Sequence, residues 1–218
     1  MRKSTGAADH GFTLMEVVIV LAVIAALSAA IAPMAFDYLA DAKKTQAQND
    51  ANQIAQAVGR FYQDTALPPY KNNTSTSKIA AKESADFDCL YGPGSDVIAA
   101  TDPTGTWIAG GVNCLAASTT RDTIQDFLIA NTPGASSSKS YVTTGKNQWR
   151  GPYLPSVPLD PWGNPYLVNI GKADPSAATQ KAVWVISAGP NGKFETNADL
   201  AATSALSASG DDIVARVK

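Results

Sequence analysis

The hydrophobic pattern divides the chain into three parts. Residues 12–36 read FTLMEVVIVLAVIAALSAAIAPMAF, apolar except for Thr13, Glu16 and Ser28. As a helix, the roughly 20 residues from Val17 onward rise about 30 Å, the thickness of a bilayer's hydrocarbon core. Helical periodicity then continues: Ala47, Ala51, Ile54, Val58 and Phe61 recur at intervals of four and three. Between them lie Lys43, Lys44, Gln46, Gln48, Asn49, Asp50, Asn52, Gln53 and Arg60, a solvated face. Ala and Gln favour helix, and no proline falls between Asp37 and Leu67. The spacing predicts one helix from Phe12 to about Tyr62, membrane-embedded first and amphipathic after. Its seam packs on the chain's own head rather than on a cofactor, and Asp64, Pro68 and Pro69 end it.

Residues 70–148 are rich in Ser, Thr, Gly, Asn and Ala and read as surface loops, apart from a short helix around residues 121–130, where Ile124, Phe127 and Leu128 share a face. The last third is denser. Residues 166–170 and 182–187 are β-branched and aromatic stretches bounded by Gly, Pro and Asn, so each reads as a strand. The connection between them is longer than a tight turn but compatible with antiparallel pairing. Residues 213–217 supply a further edge strand. Prolines in Arg150-Gly151-Pro152-Tyr153-Leu154 and Asp160-Pro161-Trp162-Gly163-Asn164-Pro165-Tyr166 fix φ and give rigid, aromatic-lined turns. Trp162 and Tyr166 read as turn and core packing.

Arg2 and Lys3 precede the apolar span, which places the leader in the cytoplasm and everything after Phe36 outside. The small-residue junction that fits a cut, Gly11/Phe12, lies before the span, so the hydrophobic helix survives processing, unlike an ordinary secretory signal. A carboxylate in a membrane span costs roughly 2.5–3.5 kcal/mol at the centre and less near the interface. Glu16 lies four residues after Phe12 on the same helix face, and a free Phe12 amine, on this or a neighbouring subunit, is a natural counter-charge for it. The plainer alternative is an anchor helix whose Glu16 snorkels to the headgroups.

The run Gly11-Phe12-Thr13-Leu14-Met15-Glu16 followed by this span resembles the type IV prepilin family, including the pseudopilins of type II secretion. The resemblance implies that a prepilin peptidase cleaves at Gly11/Phe12 and methylates the new N-terminus. It also makes Glu16 the assembly residue and Pro33 the helix-kinking proline. Asp160-Pro161-Trp162-Gly163-Asn164-Pro165-Tyr166, with Ser187-Ala188-Gly189-Pro190-Asn191-Gly192 and Asp211-Asp212-Ile213, resembles the major pseudopilin of that system. Residues 70–148 form a longer insertion than that family carries. The implied fold is α+β: a long N-terminal helix packed on a small antiparallel sheet, the pilin fold. Its parts are a leader (1–11), a transmembrane and filament-core helix (12–36), an amphipathic helix (37–63) and a globular head (64–218).

Composition narrows the chemistry. The only histidine, His10, lies in the leader, so the processed chain has no Ser-His-Asp or Cys-His site and no imidazole ligand. Seventeen Lys+Arg against nineteen Asp+Glu leave no basic footprint for nucleic acid. Lys71, Lys78, Lys82 and Arg121 are scattered among acids, which argues against a DNA-binding competence pilin. A membrane-anchored hydrolase would need Asp86/Asp88 or Asp211/Asp212 as its pair, and nothing in the sequence sets either around a cleft. Two cysteines, Cys89 and Cys114, read as one disulfide in an exported protein; closing that loop contributes about 3.5 kcal/mol in the chain-entropy model. The alternative is two buried thiols.

By resemblance, calcium ties two loops of the head together. Asp211 and Asp212 match acidic ligands, Asn191 stands where aspartate is usual, and Ala188 and Lys193 fall where backbone carbonyls contribute. Glu195 and Asp199 are substitute ligands. The expected protein is not an enzyme but a structural subunit, anchored once in a bacterial inner membrane with its head in the periplasm. Its expected partners are further copies in a helical filament, the prepilin peptidase, the inner-membrane assembly platform and minor pseudopilins. A type IV pilus subunit, major or minor, uses the same N-terminal device and is the alternative.

Overall fold

The structure is a computed structural model that describes residues 11–66, 89–93, 123–133, 140–170, 182–197 and 207–217. The chain divides into two compact units, Met1–Ala42 and Lys43–Lys218. A single helix, α1 (Leu14–Thr65), contributes to both.

In the first unit, α1 carries the apolar span with Pro33 inside it. None of its most apolar window is buried, and Leu21, Leu27 and Ile31 are each more than half exposed. By length and composition this stretch can cross a membrane.

In the second unit, α1 buries the expected seam: Ala47, Ala51, Ile54, Val58 and Phe61 are each at most 1% exposed. The helix ends at Thr65, whose hydroxyl donates back to the Phe61 carbonyl at 2.8 Å, and Ala66 follows with φ of +55°. Against α1 lies a four-stranded antiparallel sheet in the order β1 (Leu90–Gly92), β2 (Tyr166–Val168), β3 (Trp184–Ser187), β4 (Ile213–Arg216). Alternate residues point to opposite faces of a strand. Leu90, Tyr166, Val168, Val185 and Ala215 join the helix-side core, while Tyr91, Leu167, Ile186 and Val214 join a second core with Phe194 and Ala188. Both faces are covered, which is why β2 and β3 read as unbroken apolar runs rather than as alternation.

A short helix, α2 (Ile124–Leu128), is capped by Thr123, whose hydroxyl accepts the Asp126 N–H. It buries Ile124, Phe127 and Leu128, as their spacing requires. The β2–β3 pairing and the edge position of β4 also match expectation.

The reading of residues 70–148 as surface loops apart from α2 is corrected. Leu90–Gly92 forms the other edge strand, and Leu90, Tyr91 and Tyr141 are at most 3% exposed. Three residues are too few to display a period of two, so the strand carries no pattern of its own. Tyr141 is held by Asn131, which accepts its N–H at 2.8 Å and donates to its carbonyl at 3.0 Å. The leader up to His10, Asp86, Asp88, Cys114, Asp199 and the connection at 171–181 lie outside the described residues.

Candidate functional site

At the start of α1, Gly11 stands in open space and Phe12 is 83% exposed. The helix begins where it does because Thr13 precedes it: the Thr13 hydroxyl accepts the Glu16 N–H at 3.2 Å. Glu16 therefore falls in the first turn, where unpaired N–H groups and the helix dipole favour a negative charge. Gly11, Phe12 and Glu16 are all exposed. Pro33, inside the helix, removes one ladder donor.

The other candidate site lies in the head, where the turn after β3 meets the residues leading into β4. Asp211 Oδ2 accepts the Asn191 N–H at 3.0 Å. Asp212 Oδ2 accepts the N–H groups of Glu195 at 2.8 Å and Thr196 at 2.6 Å. Asn191 is occupied within its own turn: Oδ1 accepts the Lys193 N–H, and Nδ2 donates to Glu195 Oε2 at 3.2 Å. Gly189 has φ of +63°, and a Cβ there would collide with the Asp211 carbonyl, so only glycine allows this approach. A Cβ at Gly210, where φ is +63°, would likewise collide with the Glu195 carboxylate.

Two oxygens are left over. Oδ1 of Asp211 and Oδ1 of Asp212 are both buried without a hydrogen-bond partner. Burial pushes the Asp212 carboxyl up to about 6, against the pull of the hydrogen bonds from Thr196 and Glu195, and the Glu195 charge adds to the rise. The structure thus brings Asp211, Asp212, Asn191 and Glu195 together, with Ala188 fully buried at the end of β3 and Lys193 exposed on the turn. Among the described residues no three His, Cys, Asp or Glu side chains form a ready cage, so any cation here also needs carbonyl or water oxygens.

Asp160 is a node that the sequence reading passed over as part of a turn. It is 4% exposed. Its Oδ1 accepts the N–H groups of Trp162 at 3.0 Å and Asn164 at 2.7 Å, and its Oδ2 accepts the Ser187 hydroxyl at 2.6 Å. The available signal was Asp before Pro with Gly-Asn following, the pattern of an aspartate bonding the backbone ahead of it. Cys89 is buried, and no described cysteine is free.

Residues 7–32 match the family model of the prokaryotic N-terminal methylation motif, and residues 135–204 match that of type II secretion system (T2SS), protein G. The second match takes in β2, β3 and the turn bearing Asn191 and Glu195, and stops before Asp211 and Asp212. Comparison with curated proteins and with solved structures gave no match. The methylation motif over the start of α1, the protein G match over the centre of the sheet and the α+β pilin-type fold together support a type IV prepilin-like, G-type pseudopilin.

Proposed function

We propose that this pseudopilin is processed at Gly11/Phe12 and built from the inner membrane into a helical filament that supports protein export. One observation carries the reading: the first half of α1 buries nothing within the chain, whereas the second half is a fully used core element. An apolar surface of that size needs lipid before assembly and neighbouring copies of the same helix after it. Glu16 then meets the Phe12 amine of a neighbouring copy in a low-dielectric setting. The prepilin peptidase, an inner-membrane assembly platform and minor pseudopilins are the partners this route requires. The family's role is structural, which points away from catalysis.

The methylation motif is shared with type IV pilins, so the protein G match in the head is what favours a pseudopilus over a surface pilus. Deleting the gene in the native host separates the two. Export across the outer membrane should stop, with substrates held in the periplasm, and the wild-type gene should restore it. Intact export with loss of surface pili would place the subunit in a type IV pilus instead.

Calcium is proposed to join the two loops of the head. The two orphaned carboxylate oxygens of Asp211 and Asp212 suit a hard cation that accepts irregular sets of carboxylate, carbonyl and water oxygens. Glu195 supplies a further carboxylate beside them. Bound calcium would supply charge neutralisation, holding in place the segment that buries Phe194 in the second core. A disulfide between Cys89 and Cys114 is proposed to brace the insertion at the residue that precedes β1.

A further inference from the structure

The turn at residues 160–165 has an effect beyond reversing the chain. Both backbone polar groups of Gly189 lead back to it. The Gly189 N–H donates to the Ser187 hydroxyl oxygen at 3.2 Å, and that hydroxyl donates to Asp160 Oδ2. The Gly189 carbonyl accepts from Asn164 Nδ2 at 3.3 Å, and the Asn164 N–H donates to Asp160 Oδ1. Gly189 in turn packs so close to Asp211 that an added Cβ would collide with the Asp211 carbonyl and crowd its carboxyl carbon. One buried carboxylate therefore fixes, through two short relays, the residue on which Asp211 rests.

We propose that Asp160 is a positioning residue for the cation loops, setting calcium affinity through Ser187 and Gly189 without touching the ion. The inference rests on the calcium reading above. Without the Ser187 relay, Gly189 keeps only the Asn164 bond to its carbonyl and is held less firmly against Asp211, so the unpartnered Asp211 oxygen is less well aimed. Residues that orient metal ligands from behind commonly change affinity by about 10–100-fold when removed.

The test uses the full chain in detergent micelles, with calcium titrated calorimetrically and melting followed in calcium and in chelator. Ser187→Ala removes the relay through the hydroxyl and leaves both the Asn164 relay and the turn's own bonds to Asp160 Oδ1. Its calcium Kd should rise about tenfold. Asp160→Asn should weaken binding at least as much, and if that protein does not fold, Ser187→Ala alone decides. As a control, Asn131→Ala, which removes the clamp on Tyr141 in the helix-side core, should lower melting equally in calcium and chelator with Kd unchanged. A Ser187→Ala protein that binds calcium within twofold of wild type, however much it loses in melting temperature, would overturn the inference and leave the calcium reading intact. A wild-type chain that binds no calcium would overturn both.

Discussion

The Tyr166 hydroxyl donates to Asp50 Oδ2 at 3.4 Å, joining the first residue of β2 to the amphipathic part of α1. Tyr166 is fully buried, so its ring belongs to the core while its oxygen reaches the helix's polar flank. Burial, the negative charges of Asp50 and Asp160, and the hydrogen bond all hold its proton in place.

That arrangement predicts alkaline destabilisation. Tyr166 is held well above the usual tyrosine range, and Tyr153 is pushed up to about 12, chiefly by burial. Above pH ~10 the unfolded chain releases these protons while the folded chain keeps them, so stability falls as pH rises and is fully present below that point. Denaturant unfolding at several pH values between 8 and 11.5 should show a decline beginning near 10. Tyr166→Phe should flatten it, at a cost near neutral pH below about 1 kcal/mol for one long hydrogen bond. An unchanged slope in that variant would mean the decline arises elsewhere.

The two halves of α1 should respond oppositely to truncation. Phe61 is fully buried, with its ring edge-on to Tyr141 at 4.9 Å, so Phe61→Ala should destabilise the head by about 3–5 kcal/mol. Leu21→Ala, on the exposed apolar half, should leave the head's unfolding unchanged while weakening filament assembly. Chemical denaturation of both proteins, alongside a filament pelleting assay, checks the pair.

Replacing Glu16 by Val removes a costly charge from the span, so membrane insertion should hold or improve. Assembly should nevertheless drop sharply, because a neighbouring Phe12 amine loses its partner. Carbonate extraction measures the first and sheared-filament yield the second. Wild-type filament yield from the Glu16→Val protein would sink the charge-pair account.

For calcium, binding to the folded state alone adds about 2.7 kcal/mol at a hundredfold excess over Kd. The full chain should melt higher in millimolar calcium than in chelator, and magnesium should do less because it holds its waters and demands octahedral geometry. Asp211→Ala/Asp212→Ala should abolish the difference, and the loss of the Asp212 bonds to Glu195 and Thr196 should lower melting even in chelator. Asn191→Asp should tighten binding by adding a charge. Equal melting with and without calcium in the wild type would reduce the terminal acids to ordinary loop bracing.

What was legible in the sequence was whatever repeats. The i, i+3, i+4 seam of α1 states its own period, and β2, β3 and β4 lie in β-branched and aromatic stretches whose composition marks them as strands. Leu90–Gly92 does not, and its place in the sheet is set by partners far along the chain. Single polar residues were equally silent. Asn169 accepts the Trp184 N–H at 2.6 Å and donates to the Ala182 carbonyl, closing the end of the β2–β3 ladder, yet in sequence it is one asparagine after a strand. Asp160 was visible as a turn residue, but its bond to Ser187 crosses 27 positions and follows only from the fold. The acidic loops were legible as a pair because a family pattern named them. The orphaned oxygens that motivate a cation appear only in three dimensions.

The central claim is that this chain is a prepilin whose hydrophobic helix survives processing and starts at Phe12. Mass spectrometry of the N-terminal peptide, on protein purified from the membranes of its native host, tests that most directly. The account predicts a peptide beginning at Phe12 and carrying one N-methyl group. An intact N-terminus at Met1, or a cut after Ala32 near the end of the apolar span, would contradict it.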